Sequence, residues 1–477
     1  MKPRLWRDAL LVTLHVTLTM VALGRPALAQ NFSAEELALR TVERRAVEAV
    51  IWGMPAVNFQ RMKQAALDAK VGPNQIVYWS RPVNWKDQTL TPNPDTIYFN
   101  PFYDVTNGPV VLEIPRVEGD RSITGSVDDA WQNALEDVGI AGVDKGKGGK
   151  YLILPPGYKQ KVPSGHIPLR SDTFNGFVIM RSNLASGSDA DIAAAVAYGK
   201  RLKLYPLAEA GRNPQTQFVD LYDVMFDATI PYDEHFFESL HRFVQAEPWL
   251  TRDRAMIDPL KSIGIEKGKP FAPDTKTRAI LAAAAQEARA YIDTKYEASL
   301  IPPFKEGTRW ALPATQELVA GMSTFFANPN SYPTDARAAL YSIGYFSAKH
   351  LGGGQFYLMT VRDKDGNPMD GGSTYRLTVP ANAPVKLYWS ATAYDRATHA
   401  LIRETPRSSR GSNSPGIQKN PDGSVDIWFA PAAPAGKESN WVPTKAGGRF
   451  EVLFRFYGPG KPLFEKTWVL PDIEKVN

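Results

Sequence analysis

The chain has 477 residues, 43% of them hydrophobic and 22% charged, with no cysteine. That length exceeds one ordinary core, so two or three domains are expected, and the composition excludes a disordered chain. The absence of cysteine excludes disulfides, thiol nucleophiles, iron–sulfur clusters and cysteine-based zinc sites, while 55 basic against 50 acidic residues, scattered rather than gathered into a stripe, imply no nucleic-acid partner.

The N-terminus reads as a secretory signal peptide over residues 1–29. Lys2, Arg4 and Arg7 form a basic start, an apolar run from Ala9 to Leu23 follows, and Ala27-Leu28-Ala29 is a small-residue cleavage site. No later stretch approaches the ~20 apolar residues of a membrane helix, so no transmembrane segment is expected and the mature protein is placed in the periplasm.

Residues 30–74 read as N-terminal helices. Ser33 and Glu36 form a capping box, apolar residues recur at helical spacing up to about Gly53, Met54-Pro55 stops the run, and a second helix spans Asn58 to Ala69. From 75 to 185 the texture changes to short runs rich in β-branched and aromatic residues, which predicts an antiparallel first β domain. A helical middle region over 186–350 is expected from alanine-rich and amphipathic stretches at Asp189–Leu204, Tyr232–Ala246 and Lys276–Ala298. From 351 to 477 strands return, with hairpin signals at Asp365-Gly366 and Asp422-Gly423. The expected class is α+β: two antiparallel β-sandwich, jelly-roll-like domains with N-terminal helices and a helical middle.

The segment Thr91 to Val105 stands out, with three prolines, two asparagines, an Asp-Thr pair and aromatics on a backbone that cannot be helical. Through Asn93-Pro94-Asp95-Thr96-Ile97-Tyr98, Pro109 to Pro115, Asp128-Asp129-Ala130-Trp131, Tyr151 to Tyr158 and Arg181-Ser182, the N-terminal β region resembles domain of unknown function 1254. Through Tyr388-Trp389-Ser390, Ala393-Tyr394-Asp395, Asn420 to Ser424, Asn440 to Pro443 and Arg455 to Pro459, the C-terminal region resembles its usual companion, domain of unknown function 1214. The resemblance implies two β domains with a helical part, export and a homo-oligomer, and it implies no established reaction.

The chemistry-bearing candidates gather on that motif. Asp95 and Asp128 are a candidate acid–base pair on a carbohydrate-like or small polar substrate, with Arg181 as an anchor for an anion or carbonyl. Asn93, Thr96, Tyr98 and Trp131 are candidate ligand-binding residues. The competing reading gives Asp95 to its own turn, Asp128 to a cap and the β domains to assembly without catalysis. No Gly-x-Ser-x-Gly elbow occurs, and no histidine stands in a recognisable triad context. Asp233 to His241 is the densest ligand cluster but reads as a solvated helix face, and Asp363 to Gly371 reads as a turn rather than a calcium loop. No metal site and no cofactor are assigned.

Overall fold

The computed structural model describes residues 32–345, 348–350 and 354–476. The expected signal peptide over 1–29 lies outside them. The chain divides into two compact units, Met1–Thr41 and Val42–Asn477. In the first, the capping box forms as expected: Ser33 N donates to Glu36 Oε2 at 2.9 Å, and Glu36 N donates to Ser33 Oγ at 3.2 Å.

The helix that begins there runs from Ala34 to Asp68 without a break, through Pro55. The expected stop at Met54-Pro55 is therefore corrected. A proline inside a helix costs about 3 kcal/mol, but every residue from Ala49 to Gln60 is buried, so tertiary packing holds the segment helical against local preference. Gly53 lets the helix approach Leu240, which would stand 3.0 Å from a Cβ there.

Within Val42–Asn477, the first β part is a sandwich of two sheets. A six-stranded sheet has the order 218–220, 76–78, 97–104, 175–182, 123–129, 134–139, and a four-stranded sheet the order 203–206, 110–114, 149–154, 166–170. Between them lies an apolar core that includes Ile97, Phe99, Leu112, Ile153 and Met180. Side chains alternate across a strand, so Tyr98, Asn100 and Phe102, with Phe177, Ile179 and Arg181 beside them, point the other way. The apolar members of that opposite face join a larger core shared with the helices and with Met359, Tyr394 and Leu453 of the C-terminal β part.

The C-terminal part is a second sandwich, with one sheet ordered 355–360, 450–457, 389–395, 409–411 and the other 441–443, 425–430, 374–379, 474–476. The α+β architecture with two mostly antiparallel β parts is thus present. Asp365-Gly366 and Asp422-Gly423 do form tight turns, with Gly366 and Gly423 at φ +89° and +83°. The longer strands flanking each turn lie in different sheets, and across the first turn Arg362 and Pro368 pair in an isolated antiparallel bridge. Asp363 caps the first turn by accepting from the amides of Asp365 and Asn367.

The middle region is less purely helical than its composition suggests. Helices Asp189–Gly199, Glu234–Ala246 and Thr275–Ser299 form where expected. The end of the first expected helix is instead the strand Lys203–Pro206, an edge of the four-stranded sheet, and Phe218–Asp220 and Phe226–Asp227 add parallel pairings to residues 76–78 and 87–88.

Candidate functional site

Several polar groups of the Thr91–Tyr98 segment join the two sandwiches or brace the segment itself. Asn93 Oδ1 accepts from Asp95 N at 3.0 Å and from Tyr457 OH at 2.8 Å, and Asn93 N donates to Tyr98 OH at 3.0 Å. The Asp95 carbonyl accepts from Tyr388 OH at 2.7 Å, and Tyr388 stacks on Tyr457 with centroids 4.0 Å apart. Beneath them Arg455, buried in the C-terminal sheet, donates to the carbonyls of Thr91 and Pro92 at 3.2 Å each and to Thr392 Oγ1 at 2.8 Å. Prolines make this arrangement possible by leaving carbonyls without a helical partner and holding them outward.

Asp95 itself is half-buried and accepts a hydrogen bond from Ser409 Oγ at 2.9 Å. Burial pushes its carboxyl above the usual carboxylate range, against the opposing pull of Arg455 and Ser409. Its carboxylate is thus held by the C-terminal sandwich.

Arg181 sits beside this latch. It pairs with Tyr98 in the register of strands Ile97–Asp104 and Asn175–Ser182, and its guanidinium lies 5.4 Å from the Tyr98 ring centroid. Among the described residues it has no carboxylate partner. The rings of Tyr98, Tyr357 and Tyr457 favour its charge against the cost of burial.

Arg181 lines one space and is the strand neighbour of a residue that lines another. The inner one is an enclosed cavity of about 40 Å³ lined by Arg181, Trp79, Asn100, Tyr345 and Asp87 among others. Trp79 Nε1, Asn100 Oδ1, Arg181 Nε and Tyr345 OH are all buried there without a hydrogen-bond partner. A buried polar atom left unpaired costs about 1–3 kcal/mol, and the four lie on residues that line one small cavity. Asp87, 3% exposed, is pushed up to about 7 by burial. The outer space is an open cleft of about 460 Å³ between the two sandwiches, with Ser122, Thr124, Asn183, Gln355, Lys386 and Tyr457 on its walls. Thr124 is the direct strand neighbour of Arg181.

The structure therefore brings Asn93, Asp95, Tyr98 and Arg181 together at one seam. Thr96 is buried next to them, its Oγ1 without a partner. Asp128 and Trp131 line neither space. Asp128 pairs with Phe177, four residues from Arg181, and both its carboxylate oxygens are buried and unpartnered. Burial, then the adjacent Asp137 and Asp129, push its carboxyl well above the usual range. The expected Asp95–Asp128 acid–base pair is not assembled, since the carboxylates facing Asp128 are its own strand neighbours. Trp131 is a packing residue, its ring 4.9 Å from those of Trp52 and Phe243.

Asp233, Glu234 and His235 place ligand atoms within 4.8 Å of one another. Asp233 is the N-cap of helix Glu234–Ala246, its Oδ1 2.9 Å from His235 Nδ1, and His241 Nε2 lies 2.9 Å from the Lys269 carbonyl, which fits a helix start better than a metal centre. Sequence reasoning missed Trp79, Asn100, Tyr345 and Asp87. The alternation that puts Asn100 on the Tyr98 face was readable in the strand, whereas Tyr345 and Asp87 arrive from distant segments. It also passed over His399, whose Nδ1 lies 2.7 Å from Glu451 Oε1.

Residues 73–206 match the family model described as "Protein of unknown function (DUF1254)", and residues 354–461 the one described as "Protein of unknown function (DUF1214)". The crystal structure of the VPA0106 protein from Vibrio parahaemolyticus is similar at a TM-score of 0.55 and 18% identity, covering 91% of this chain and 100% of that one, which shows a shared fold. A crystal structure of an uncharacterized protein from Burkholderia cenocepacia reaches a TM-score of 0.42 at 13% identity, over 92% of this chain and 95% of that one. No curated protein matches the chain.

Proposed function

The chain belongs to the family that joins domain of unknown function 1254 to domain of unknown function 1214, and from that premise we propose that it binds a small polar ligand with an anionic or carbonyl end, seated in the cleft between its two β sandwiches and anchored by Arg181. The observation that carries this reading is Arg181 itself: a cation without a carboxylate partner among the described residues, lining a small cavity and paired on its strand with Thr124, which lines the cleft of about 460 Å³. A buried cation without a counter-charge is costly, and an incoming anion or carbonyl removes that cost. The cleft volume falls in the range of small-molecule sites, which favour domain interfaces.

Binding fits the residues better than hydrolysis. The Asp95 carboxylate is engaged by Ser409, Asp128 lies outside the cleft, and none of the residues lining the cleft is a histidine. No tryptophan lines the cleft either, which favours a compact polar ligand over a carbohydrate stacked on indole. The basic, apolar and small-residue pattern of residues 1–29 supports a binding protein that works after export, in the periplasm. No described helix is long and apolar enough to cross a membrane.

A screen tests this. The protein is heated with small carboxylic acids, keto acids and neutral polyols, and the unfolding midpoint is recorded. A ligand at about 100 times its dissociation constant raises stability by about 2.7 kcal/mol. The reading expects that response from acids or carbonyl compounds and none from polyols. A response to polyols alone, or to no compound, contradicts it.

A further inference from the structure

A second concavity, of about 530 Å³, opens between helix Thr275–Ser299 and the turns of the C-terminal sandwich, where Arg289, Arg396, Arg449, Asp293, Tyr232 and His399 meet. His399 occupies a left-handed backbone position at φ +57° in the turn that follows strand Trp389–Asp395. Histidine is among the few non-glycine residues found there with any frequency. Its ring is nearly buried, at 7% exposure, and its Nδ1 lies 2.7 Å from Oε1 of Glu451, which is fully buried. Glu451 is held in turn by Tyr296, whose hydroxyl donates to Oε2 at 3.0 Å. A carboxylate on Nδ1 fixes the tautomer and leaves Nε2 as the free nitrogen. Among the described residues Nε2 has no hydrogen-bond partner.

The charges around His399 are unevenly matched. Asp293, Glu297 and Glu451 all converge on Arg396, which ion-pairs with Asp293, lies 3.3 Å from Glu297 and 3.6 Å from Glu451. Arg289 instead donates to the Ala397 carbonyl at 2.7 Å and lies over the Tyr232 ring, and neither it nor Arg449 has a carboxylate partner among the described residues. Asp293, Glu297, which is shared with Arg362 at 2.6 Å, and Glu451, which is shared with His399, thus surround Arg396, while Arg289 and Arg449 on the same concavity have no carboxylate partner among the described residues.

We propose that this concavity is an oxyanion-binding site, distinct from the Arg181 cleft, in which Arg289 and Arg449 hold a phosphate or carboxylate group. His399, oriented by Glu451, presents Nε2 to the same group. Two guanidiniums and an imidazole suit a tetrahedral phosphate or a planar carboxylate, because arginine's donors match both shapes. Glu451 and Tyr296 act as positioning residues and do not touch the ligand.

The test is calorimetric titration of the full mature chain with inorganic phosphate, with succinate, and with chloride at matched ionic strength as the control. Binding of phosphate or succinate over chloride is expected, and which of the two binds more tightly assigns the ligand's source. Arg289→Gln and Arg449→Gln are each expected to weaken binding by roughly tenfold or more with the unfolding midpoint unchanged. His399→Gln is expected to weaken it less, by roughly threefold. Failure of both anions to bind better than chloride overturns the proposal. So does binding that survives both arginine substitutions. Because the Arg181 cleft is itself proposed to take acids, every titration is also run on Arg181→Met protein, so that these outcomes are independent of whether the interdomain cleft binds its own ligand.

Discussion

Tyr457 donates its hydroxyl to Asn93 Oδ1 at 2.8 Å, across 364 positions of sequence. That bond joins the last long strand of the C-terminal sandwich to the proline-rich segment of the first. Together with Arg455 on the Thr91 and Pro92 carbonyls, it makes the segment a latch between the two β parts. Loss of a hydrogen bond to a buried acceptor costs about 1–3 kcal/mol. Tyr457→Phe is therefore expected to destabilise the protein by about 2 kcal/mol, measured by urea unfolding with the slope of the transition unchanged. An unaltered midpoint would mean that the latch contributes nothing.

Asp87 supplies a pH dependence of definite sign. Burial raises its carboxyl from the ordinary value to about 7, so the folded state binds its proton more tightly than the unfolded chain does. Stability from this group is complete below about pH 4 and is lost as pH rises through about 7, a change on the order of 4 kcal/mol. Asp87→Asn should flatten stability between these limits. A pH series of urea midpoints, wild type against variant, reads this directly, and parallel curves would contradict it.

Asp128 should show a pH dependence of the same sign. Burial, then Asp137 and Asp129, raise its carboxyl well above the ordinary value, so the fold favours the protonated form that Asp128→Asn mimics. The variant is expected to lose less stability than wild type as pH rises. Loss of folding at neutral pH would show that the ionised carboxylate is needed.

Gly176 marks a close approach in the six-stranded sheet. A Cβ there would stand 2.2 Å from the Tyr103 hydroxyl and 2.4 Å from the Asp128 carbonyl, two atoms hydrogen-bonded to each other at 3.0 Å. Gly176→Ala should cost about 3 kcal/mol through overpacking and the loss of that bond. Thermal unfolding measures it, and a shift within error of zero would contradict the packing described.

The local features of this fold were legible in the sequence, and the long-range ones were not. The capping box at Ser33 and Glu36, the strands from Ile97 to Asp104 and from Phe450 to Tyr457, and helix Thr275–Ser299 follow from short-range pattern. Pro55 defeated local reasoning because burial of the surrounding helix outweighs its penalty. Strand Lys203–Pro206 was hidden because its identity depends on pairing with Val110–Ile114. For the candidate site, strand alternation put Tyr98 and Arg181 on neighbouring strands within reach of inference. Nothing in the sequence brings Tyr345, Asp87 or Arg455 to them, and nothing in the sequence brings Glu451 to His399. Asp95 reads as catalytic and Asn93 as ligand-binding because latch and site residues share the same polar chemistry.

The direct test of the account is ligand affinity at Arg181. For the tightest acid or carbonyl compound found by thermal screening, calorimetry is performed on wild type, Arg181→Lys and Arg181→Met. The account predicts that Arg181→Met weakens binding by roughly a hundredfold and that Arg181→Lys, which keeps the charge but not the planar donors, weakens it by roughly tenfold. Unchanged affinity in a folded Arg181→Met protein would contradict it.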